Sequence, residues 1–299
     1  MKMSTPLPMC PFPPGRSLRS CADFRLYVNQ ICLLQQYPAK VGKDQDGKPD
    51  CNIPVDSLLP CLMIDDIMPL PISDHGFEEV RDMARKEILC FGDSNTWGYT
   101  PGTGIRYAPD VRWPGVMAQA LGANYHVIED GLNGRTTGFD FPWNECKNGQ
   151  SALPYALLAQ KPLDLLIIAL GINDLTVADS SFSAKSAGGL IRRTRMLQAV
   201  PDSGTLIFPH GEKILIAAPA PVHPDYDRMF GIPYYEDSCR LAEKYRIMAQ
   251  ENGVYYLNVG DYASASPIDC VHFSAESHRA LGLAMAERVK EILETNQTE

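Results

Sequence analysis

Residues 87–96 have the sequence EILCFGDSNT and join two kinds of local pattern. The first five residues are mostly apolar and have the length of a strand that is buried on both faces. Gly92, Asp93 and Ser94 follow directly, and Asp and Ser are favoured at the N-terminus of a helix. The stretch therefore predicts a buried strand that leads through a tight turn into a helix.

Outward from this stretch, strand-like and helix-like patterns alternate to the end of the chain. Apolar runs of strand length lie at residues 87–91, 125–129, 163–170, 213–219 and 254–259. Helical patterns lie between and after them, at residues 112–121, 151–160, 182–200, 234–252 and 276–294. Strands that are apolar on both faces and alternate with helices predict an α/β fold, in which a five-stranded parallel sheet lies between two layers of helices.

The first 85 residues differ from the rest of the chain in composition. Of the 24 prolines in the 299 residues, 11 lie between positions 6 and 71. Proline is unfavourable in helix interiors and in central strands. We therefore predict a proline-rich N-terminal extension with little regular structure at residues 1–85 and a folded domain at residues 86–299.

Charge and hydropathy exclude several classes of partner. The formal net charge is -9 and the sequence has no basic stripe, which argues against a nucleic-acid partner. The longest unbroken apolar run, residues 165–170, is far shorter than the roughly 20 residues that span a bilayer. The N-terminus also lacks the apolar stretch of a secretory signal. We expect a cytoplasmic protein with a small-molecule partner and without a nucleic-acid or membrane partner.

The cysteine spacing and the glycine motifs do not indicate a metal or a cofactor. Five of the nine cysteines lie in the first 61 residues, at wide spacings and without a C-x-x-C pair, so we expect unpaired thiols there. Neither a G-x-G-x-x-G motif nor a Walker loop follows the first predicted strand, which argues against a nucleotide-binding protein.

Chemically useful residues follow the predicted strands. Ser94 comes after the first strand, Gly134 after the second and Asn173 after the third, while Asp269 and His272 precede the last helix. Each has an ordinary explanation as a cap or turn residue. However, the carboxyl ends of parallel strands meet at one edge of the sheet, so these residues are expected to share a site. A serine hydroxyl, a histidine with a carboxylate partner, and N–H donors for an oxyanion suit nucleophilic catalysis.

The same residues resemble the four sequence blocks of the SGNH (GDSL) hydrolases, in the family's order. The matching blocks are Gly92-Asp93-Ser94, Gly134, Gly171-x-Asn173-Asp174 and Asp269-x-x-His272, and residues 110–113, 131–137 and 162–165 look like the bacterial arylesterase and acyltransferase branch. The resemblance covers residues 86–295. It implies a flavodoxin-like three-layer fold, a catalytic triad of Ser94, Asp269 and His272, and an oxyanion hole formed by Ser94, Gly134 and Asn173. One departure is Asn133-Gly134, where relatives in this branch can carry Ser-Ala.

We therefore expect a serine esterase that hydrolyses short-chain carboxylic esters, aryl or alkyl, through an acyl-enzyme, with acyl transfer to alcohols as a further reaction. The preference for short chains is expected because aromatic residues lie close to the predicted site in sequence: Trp97, Tyr99, Phe139, Phe141 and Trp143. A carbohydrate deacetylase or thioesterase of the same family, and a non-catalytic binding module on the same fold, are the alternatives. Relatives in this branch often form oligomers, so a homo-oligomer is also left open.

Overall fold

The computed structural model of the chain describes residues 85–141, 146–199 and 205–294. The predicted N-terminal extension lies outside the described residues except for Arg85, and Trp143 also lies outside them. The division of the chain near residue 85 therefore stays a prediction.

The described residues contain one sheet of five parallel strands, in the order β2-β1-β3-β4-β5. The strands are β1 (Lys86–Gly92), β2 (Tyr125–Gly131), β3 (Leu165–Ala169), β4 (Ile214–Ala218) and β5 (Tyr255–Asn258). Because the order reverses direction between β1 and β3, the loops that follow these two strands diverge and leave a crevice at the carboxyl edge. The prediction of an α/β fold with a five-stranded parallel sheet is confirmed.

Helices cover both faces of the sheet. In the described residues they are α1 (Ser94–Trp97), α2 (Trp113–Leu121), α3 (Gly149–Gln160), α4 (Ser180–Ala199), α5 (Tyr226–Phe230), α6 (Tyr235–Cys239), α7 (Leu241–Glu251) and α8 (Ala275–Glu294), with short 3-10 helices at Ile172–Thr176 and Val259–Asp261. No helix in these parts of the chain is both long enough and apolar enough to cross a membrane.

The side chains of β1 alternate between two hydrophobic cores. Ile88 and Cys90 pack in the core that contains residues of α2 and α8. Leu89 and Phe91 pack in the core that contains residues of α3, α4 and α7. All four side chains are fully buried, which explains why this strand is almost continuously apolar. The alternation produces the predicted three layers.

One predicted helix is divided in the structure. The pattern at residues 234–252 predicted a single helix, but α6 ends at Cys239 and α7 begins at Leu241. The Ser238 hydroxyl donates to the carbonyl of Tyr235 and accepts from the N–H of Val222, while Asp237 accepts hydrogen bonds from Ser180. Side chains that bond to the backbone in this way compete with helix continuation.

Candidate active site

The structure brings Ser94, His272 and Asp269 together in one hydrogen-bonded chain. The Oγ of Ser94 lies 3.0 Å from Nε2 of His272, and Nδ1 of the same ring lies 2.9 Å from Oδ2 of Asp269. Ser94 is the first residue of α1, directly after β1, and the other two residues lie in the loop before α8. The serine and the histidine are 178 residues apart in the chain, so the fold creates this contact.

Two glycines at neighbouring strand ends allow α1 to lie close to the sheet. A Cβ atom at Gly92 would lie 2.0 Å from the hydroxyl of Thr96, and one at Gly131 would lie 2.2 Å from the backbone N of Trp97. Any larger residue at these positions would push α1, and Ser94 with it, away from the sheet. Gly92 and Gly131 are register partners in β1 and β2, so both strands make room for the same turn of helix.

Asp93 fixes the start of α1. It is the N-cap residue, and its Oδ1 accepts a hydrogen bond from the N–H of Asn95 at 2.9 Å. Ser94 itself is in the first helical position, where its N–H has no partner within the helix. Among the described residues this N–H makes no hydrogen bond, so it can donate to a bound group.

The carboxylate of Asp269 accepts hydrogen bonds on both oxygens. Oδ1 accepts from the backbone N–H groups of Val271 and His272, and Oδ2 accepts from the His272 ring and from the N–H of Gly102. Burial opposes ionisation of this carboxyl, but the hydrogen bonds from His272 and Val271 outweigh burial and lower the pKa of Asp269. An ionised Asp269 accepts a hydrogen bond from the Nδ1–H of His272, which leaves Nε2 of the neutral ring as the acceptor for the Ser94 hydroxyl.

A short hairpin that follows α1 completes the surroundings of the histidine. Its ends pair at Tyr99 and Arg106, and its tip supplies the Gly102 N–H that contacts Asp269 at 3.0 Å. The ring of Tyr99 stacks on the His272 imidazole with centroids 4.0 Å apart and an interplanar angle of 23°. The role of Gly102 was missed in the sequence, because contact between residues so distant along the chain depends on the hairpin's conformation.

Gly134 occupies a tight turn at the end of β2. The N–H of Arg135 donates to the carbonyl of Leu132, which closes the turn, and Gly134 has a φ of 74°. Positive φ at the third position of a β-turn requires glycine or asparagine. The N–H of Gly134 makes no hydrogen bond to the described residues, and the space beside its Cα is open.

Asn173 lies beside this turn, in the 3-10 helix after β3. Its Nδ2 donates one hydrogen bond to the carbonyl of Arg135 at 3.0 Å, so a second N–H of the same amide is available. Gly92 pairs in register with Gly131 on one side and with Ala169 on the other. The loops that carry Ser94, Gly134 and Asn173 therefore start from the same level of the sheet.

Arg135 ties these loops to the strand ends. Its buried guanidinium donates to the carbonyls of Gly92 and Asp130 and to the Asp130 carboxylate. The next residue, Thr136, closes the base of the following loop, because its N–H donates to the carbonyl of Lys147 and its own carbonyl accepts from the N–H of Gly149. The hydrogen bonds described for the turn at Gly134 are thus made by Arg135 to Leu132 and to the strand ends.

Asp174 holds the second of these loops against α4. Its Oδ1 accepts from the N–H of Thr137, and its Oδ2 accepts from the hydroxyls of Thr137 and Ser183. Asp93 and Asp174 therefore both accept hydrogen bonds from backbone N–H groups near the site. Both carboxyls are buried, and burial is the main reason why the pKa rises to about 7 for Asp93 and about 6 for Asp174.

The raised pKa of Asp93 predicts a change in stability with pH. From an ordinary value of 3.8 the pKa rises to about 7 in the fold, so the native state retains a proton that the unfolded chain releases. This stabilisation of the folded state is fully present below about pH 4 and is lost as the pH rises through 7. Each pKa unit of difference between the folded and unfolded states corresponds to about 1.4 kcal/mol of folding free energy. Between pH 4.5 and pH 8, urea unfolding should show the wild type losing stability relative to Asp93→Asn. If the free energy of unfolding depended on pH in the same way for the two proteins, the prediction would be contradicted.

No group of three or more histidine, cysteine, aspartate or glutamate side chains in the described ranges is arranged to hold a metal ion. The reactive groups described above are a hydroxyl, an imidazole, a carboxylate and N–H donors. Together they can activate an oxygen nucleophile and stabilise a negatively charged oxygen.

The chain is similar to a known protein family and to several solved structures. Residues 90–280 match the GDSL-like lipase/acylhydrolase family. The native aryl esterase of M. smegmatis is 38% identical, with a TM-score of 0.63 over 70% of this chain and 100% of that one. Est24, a carbohydrate acetylesterase from Sinorhizobium meliloti, is 36% identical, with a TM-score of 0.64 over 70% and 100% of the two chains.

A third structure, a putative arylesterase from Agrobacterium tumefaciens str. C58, is 36% identical, with a TM-score of 0.61 over the same shares of the two chains. A search of curated proteins found no significant match. The family match covers more than half of the chain, and the solved structures are matched over nearly their whole length. The chain therefore belongs to the GDSL-like lipase/acylhydrolase family, as its resemblance to the SGNH hydrolases predicted.

Proposed function

We propose that this protein is a serine esterase in which Ser94 attacks the carbonyl carbon of a short-chain carboxylic ester. The observation that carries the proposal is the hydrogen-bonded chain from Asp269 through His272 to Ser94, with distances of 2.9 and 3.0 Å. The 3.0 Å between Ser94 Oγ and His272 Nε2 is within reach for direct proton transfer between nucleophile and base. The family includes esterases, but the residues and the substrate of this chain are our assignment.

In the first half of the reaction, Nε2 of His272 accepts the proton of the Ser94 hydroxyl as the Ser94 oxygen forms a bond to the ester carbon. Asp269 remains ionised and stabilises the imidazolium. The carbonyl oxygen becomes an oxyanion that accepts hydrogen bonds from the N–H groups of Ser94 and Gly134 and from Nδ2 of Asn173. One such donor is typically worth about 2.7–4 kcal/mol in the transition state.

Collapse of the tetrahedral intermediate breaks the bond to the alcohol oxygen, which takes the proton from Nε2 of His272. The acyl group stays on Ser94. A water molecule then gives a proton to His272 and attacks the acyl carbon, and the second collapse returns the proton to Ser94 and releases the acid. An alcohol in place of water gives acyl transfer by the same steps.

Labelling with a fluorophosphonate, followed by peptide mapping, tests the identity of the nucleophile. We expect one label per chain on the peptide that contains Ser94, with loss of hydrolysis in proportion to labelling. His272→Ala should be labelled far more slowly, because the base that activates the serine is missing. Full inactivation with the label on a different serine would reject Ser94 as the nucleophile.

The aromatic residues near the site favour a short acyl group. Tyr99 stacks on His272, and Trp97 is next to Tyr99 with ring centroids 6.4 Å apart. In the loop after β2, Phe139 packs against Phe182 of α4, with ring centroids 5.2 Å apart. The ring of Tyr99, stacked on the proposed general base, limits the space beside His272 that a long acyl chain would need.

We therefore predict that kcat/KM is highest for p-nitrophenyl acetate or butyrate and falls at least about tenfold for the palmitate ester. A tenfold change in kcat/KM corresponds to about 1.4 kcal/mol. In an open apolar channel, the burial of only two further methylene groups would stabilise binding of a longer ester by more than that. Initial rates for acetate, butyrate, octanoate and palmitate measure the preference. A maximum at octanoate or palmitate would show that the rings do not limit the acyl group.

A carbohydrate acetylesterase is a second candidate, favoured by the similarity to Est24 over the whole length of that chain. The same groups would remove an acetyl ester from a sugar hydroxyl. Acetate release from an acetylated sugar, compared with that from p-nitrophenyl acetate at equal concentration, distinguishes the two. A higher kcat/KM for the acetylated sugar would favour the carbohydrate substrate.

A further inference from the structure

We propose that Asn95 is a positioning residue that fixes the general base relative to the nucleophile. The proposal rests on the assignment of Ser94 and His272 as nucleophile and base. Asn95 directly follows Ser94 in α1, and its side chain contacts the backbone on both sides of His272.

The contacts of Asn95 form a clamp around the base. Its Oδ1 accepts from the N–H of Phe273 at 3.1 Å, and its Nδ2 donates to the carbonyl of Val271 at 3.4 Å. These are the residues immediately after and before His272. The N–H of Asn95 donates to the Asp93 carboxylate, so the clamp itself is held at the start of the helix.

The contacts of Asp269 do not provide the same restraint. Asp269 belongs to the loop that carries His272, so its bonds to residues 271 and 272 fix the ring within that loop. Other hydrogen bonds connect this loop to other segments of the chain. The N–H of His223 donates to the carbonyl of Cys270, and the N–H of Gly102 donates to the Asp269 carboxylate. Asn95 joins the loop to the helix that carries the nucleophile.

This placement has a direct consequence for proton transfer. The distance from Ser94 Oγ to His272 Nε2 is 3.0 Å, and it depends on the relative position of α1 and the loop. A displacement of about 1 Å can reduce a rate by about a hundredfold, even when every reacting group is present. Without the clamp, we expect His272 to keep its bond to Asp269 but to move relative to Ser94.

Asn95→Leu tests the proposal, because leucine has a similar size and makes neither hydrogen bond. Asn252→Ala is the matched control: the Asn252 side chain also donates to a backbone carbonyl, that of Met248, but it lies before β5 at the opposite edge of the sheet. We expect kcat of Asn95→Leu with p-nitrophenyl acetate to fall about 10- to 100-fold and KM to change less than about threefold. The control should keep its kcat.

Proton NMR of the histidine ring distinguishes positioning from a general loss of structure. The Nδ1 proton bonded to Asp269 should keep its downfield resonance in Asn95→Leu, and the melting temperature should fall no more than in the control. A change in kcat of less than twofold would overturn the proposal, as would loss of the resonance together with a larger fall in melting temperature. An active Ser94→Ala variant would instead reject the nucleophile itself, so the two failures are separable.

Discussion

Ser94→Ala is expected to lower kcat for p-nitrophenyl acetate by at least about a thousandfold while the protein stays folded. The hydroxyl is the proposed nucleophile, and removal of a triad member leaves only the rate enhancement from binding and oxyanion stabilisation. The substitution removes one oxygen atom, which is hydrogen-bonded to the ring of His272. The core should therefore be unaffected, and the melting temperature should change little.

Ser238→Ala is the matched control for this prediction. Ser238 is fully buried, and its hydroxyl bonds to the backbone of Tyr235 and Val222. Its loss should cost about 1–3 kcal/mol of stability, because a buried backbone N–H loses its acceptor, but it should leave kcat nearly unchanged. Near-normal turnover by folded Ser94→Ala would reject the proposed mechanism.

Asn173→Ala should reduce kcat by about a hundred- to a thousandfold and change KM little. The Nδ2 group is fixed by its bond to the carbonyl of Arg135, so its second N–H is aimed before the substrate arrives. The bond to the substrate strengthens as the carbonyl oxygen becomes an oxyanion, so its loss affects the transition state more than the bound ester.

Steady-state kinetics with p-nitrophenyl acetate measure the two parameters separately. Asn258→Ala is a suitable control, because that side chain bonds to Gly260 and Asp261 in its own loop. A change in KM alone would show that Asn173 binds the substrate in its ground state and does not stabilise the oxyanion.

The sequence predicted the fold, and the gathering of the candidate site residues at one edge of the sheet, for one physical reason. The central strands β1, β3 and β4 are apolar on both faces, so their limits are visible in the sequence, and the parallel sheet places the loops after β1, β2 and β3 at one edge. Ser94, Gly134 and Asn173 each follow one of these strands. Asp269 and His272 are only three residues apart, so their contact is nearly local.

Contacts between loops that are distant along the chain could not be predicted from the sequence in the same way. The Asn95 side chain is hydrogen-bonded to Val271 and Phe273, which lie 176 and 178 positions further along the chain. The N–H of Gly102 is hydrogen-bonded to Asp269, 167 positions away. Such contacts depend on the conformation of two loops at once, which residue type and spacing do not specify. The break near Arg240 was missed for a related reason, because Asp237 and Ser238 bond to other segments of the chain.

The fixed turn at Gly134 has an evolutionary consequence. Arg135 holds the turn to the strand ends, and Thr136 closes the base of the loop that ends at Lys147. Exchanges in that loop that keep Thr137, which contacts Asp174, should therefore leave the direction of the Gly134 N–H unchanged. Under the proposed function, selection for a different substrate could then act on such positions with little effect on the chemical step, while the nucleophile and the base stay the same.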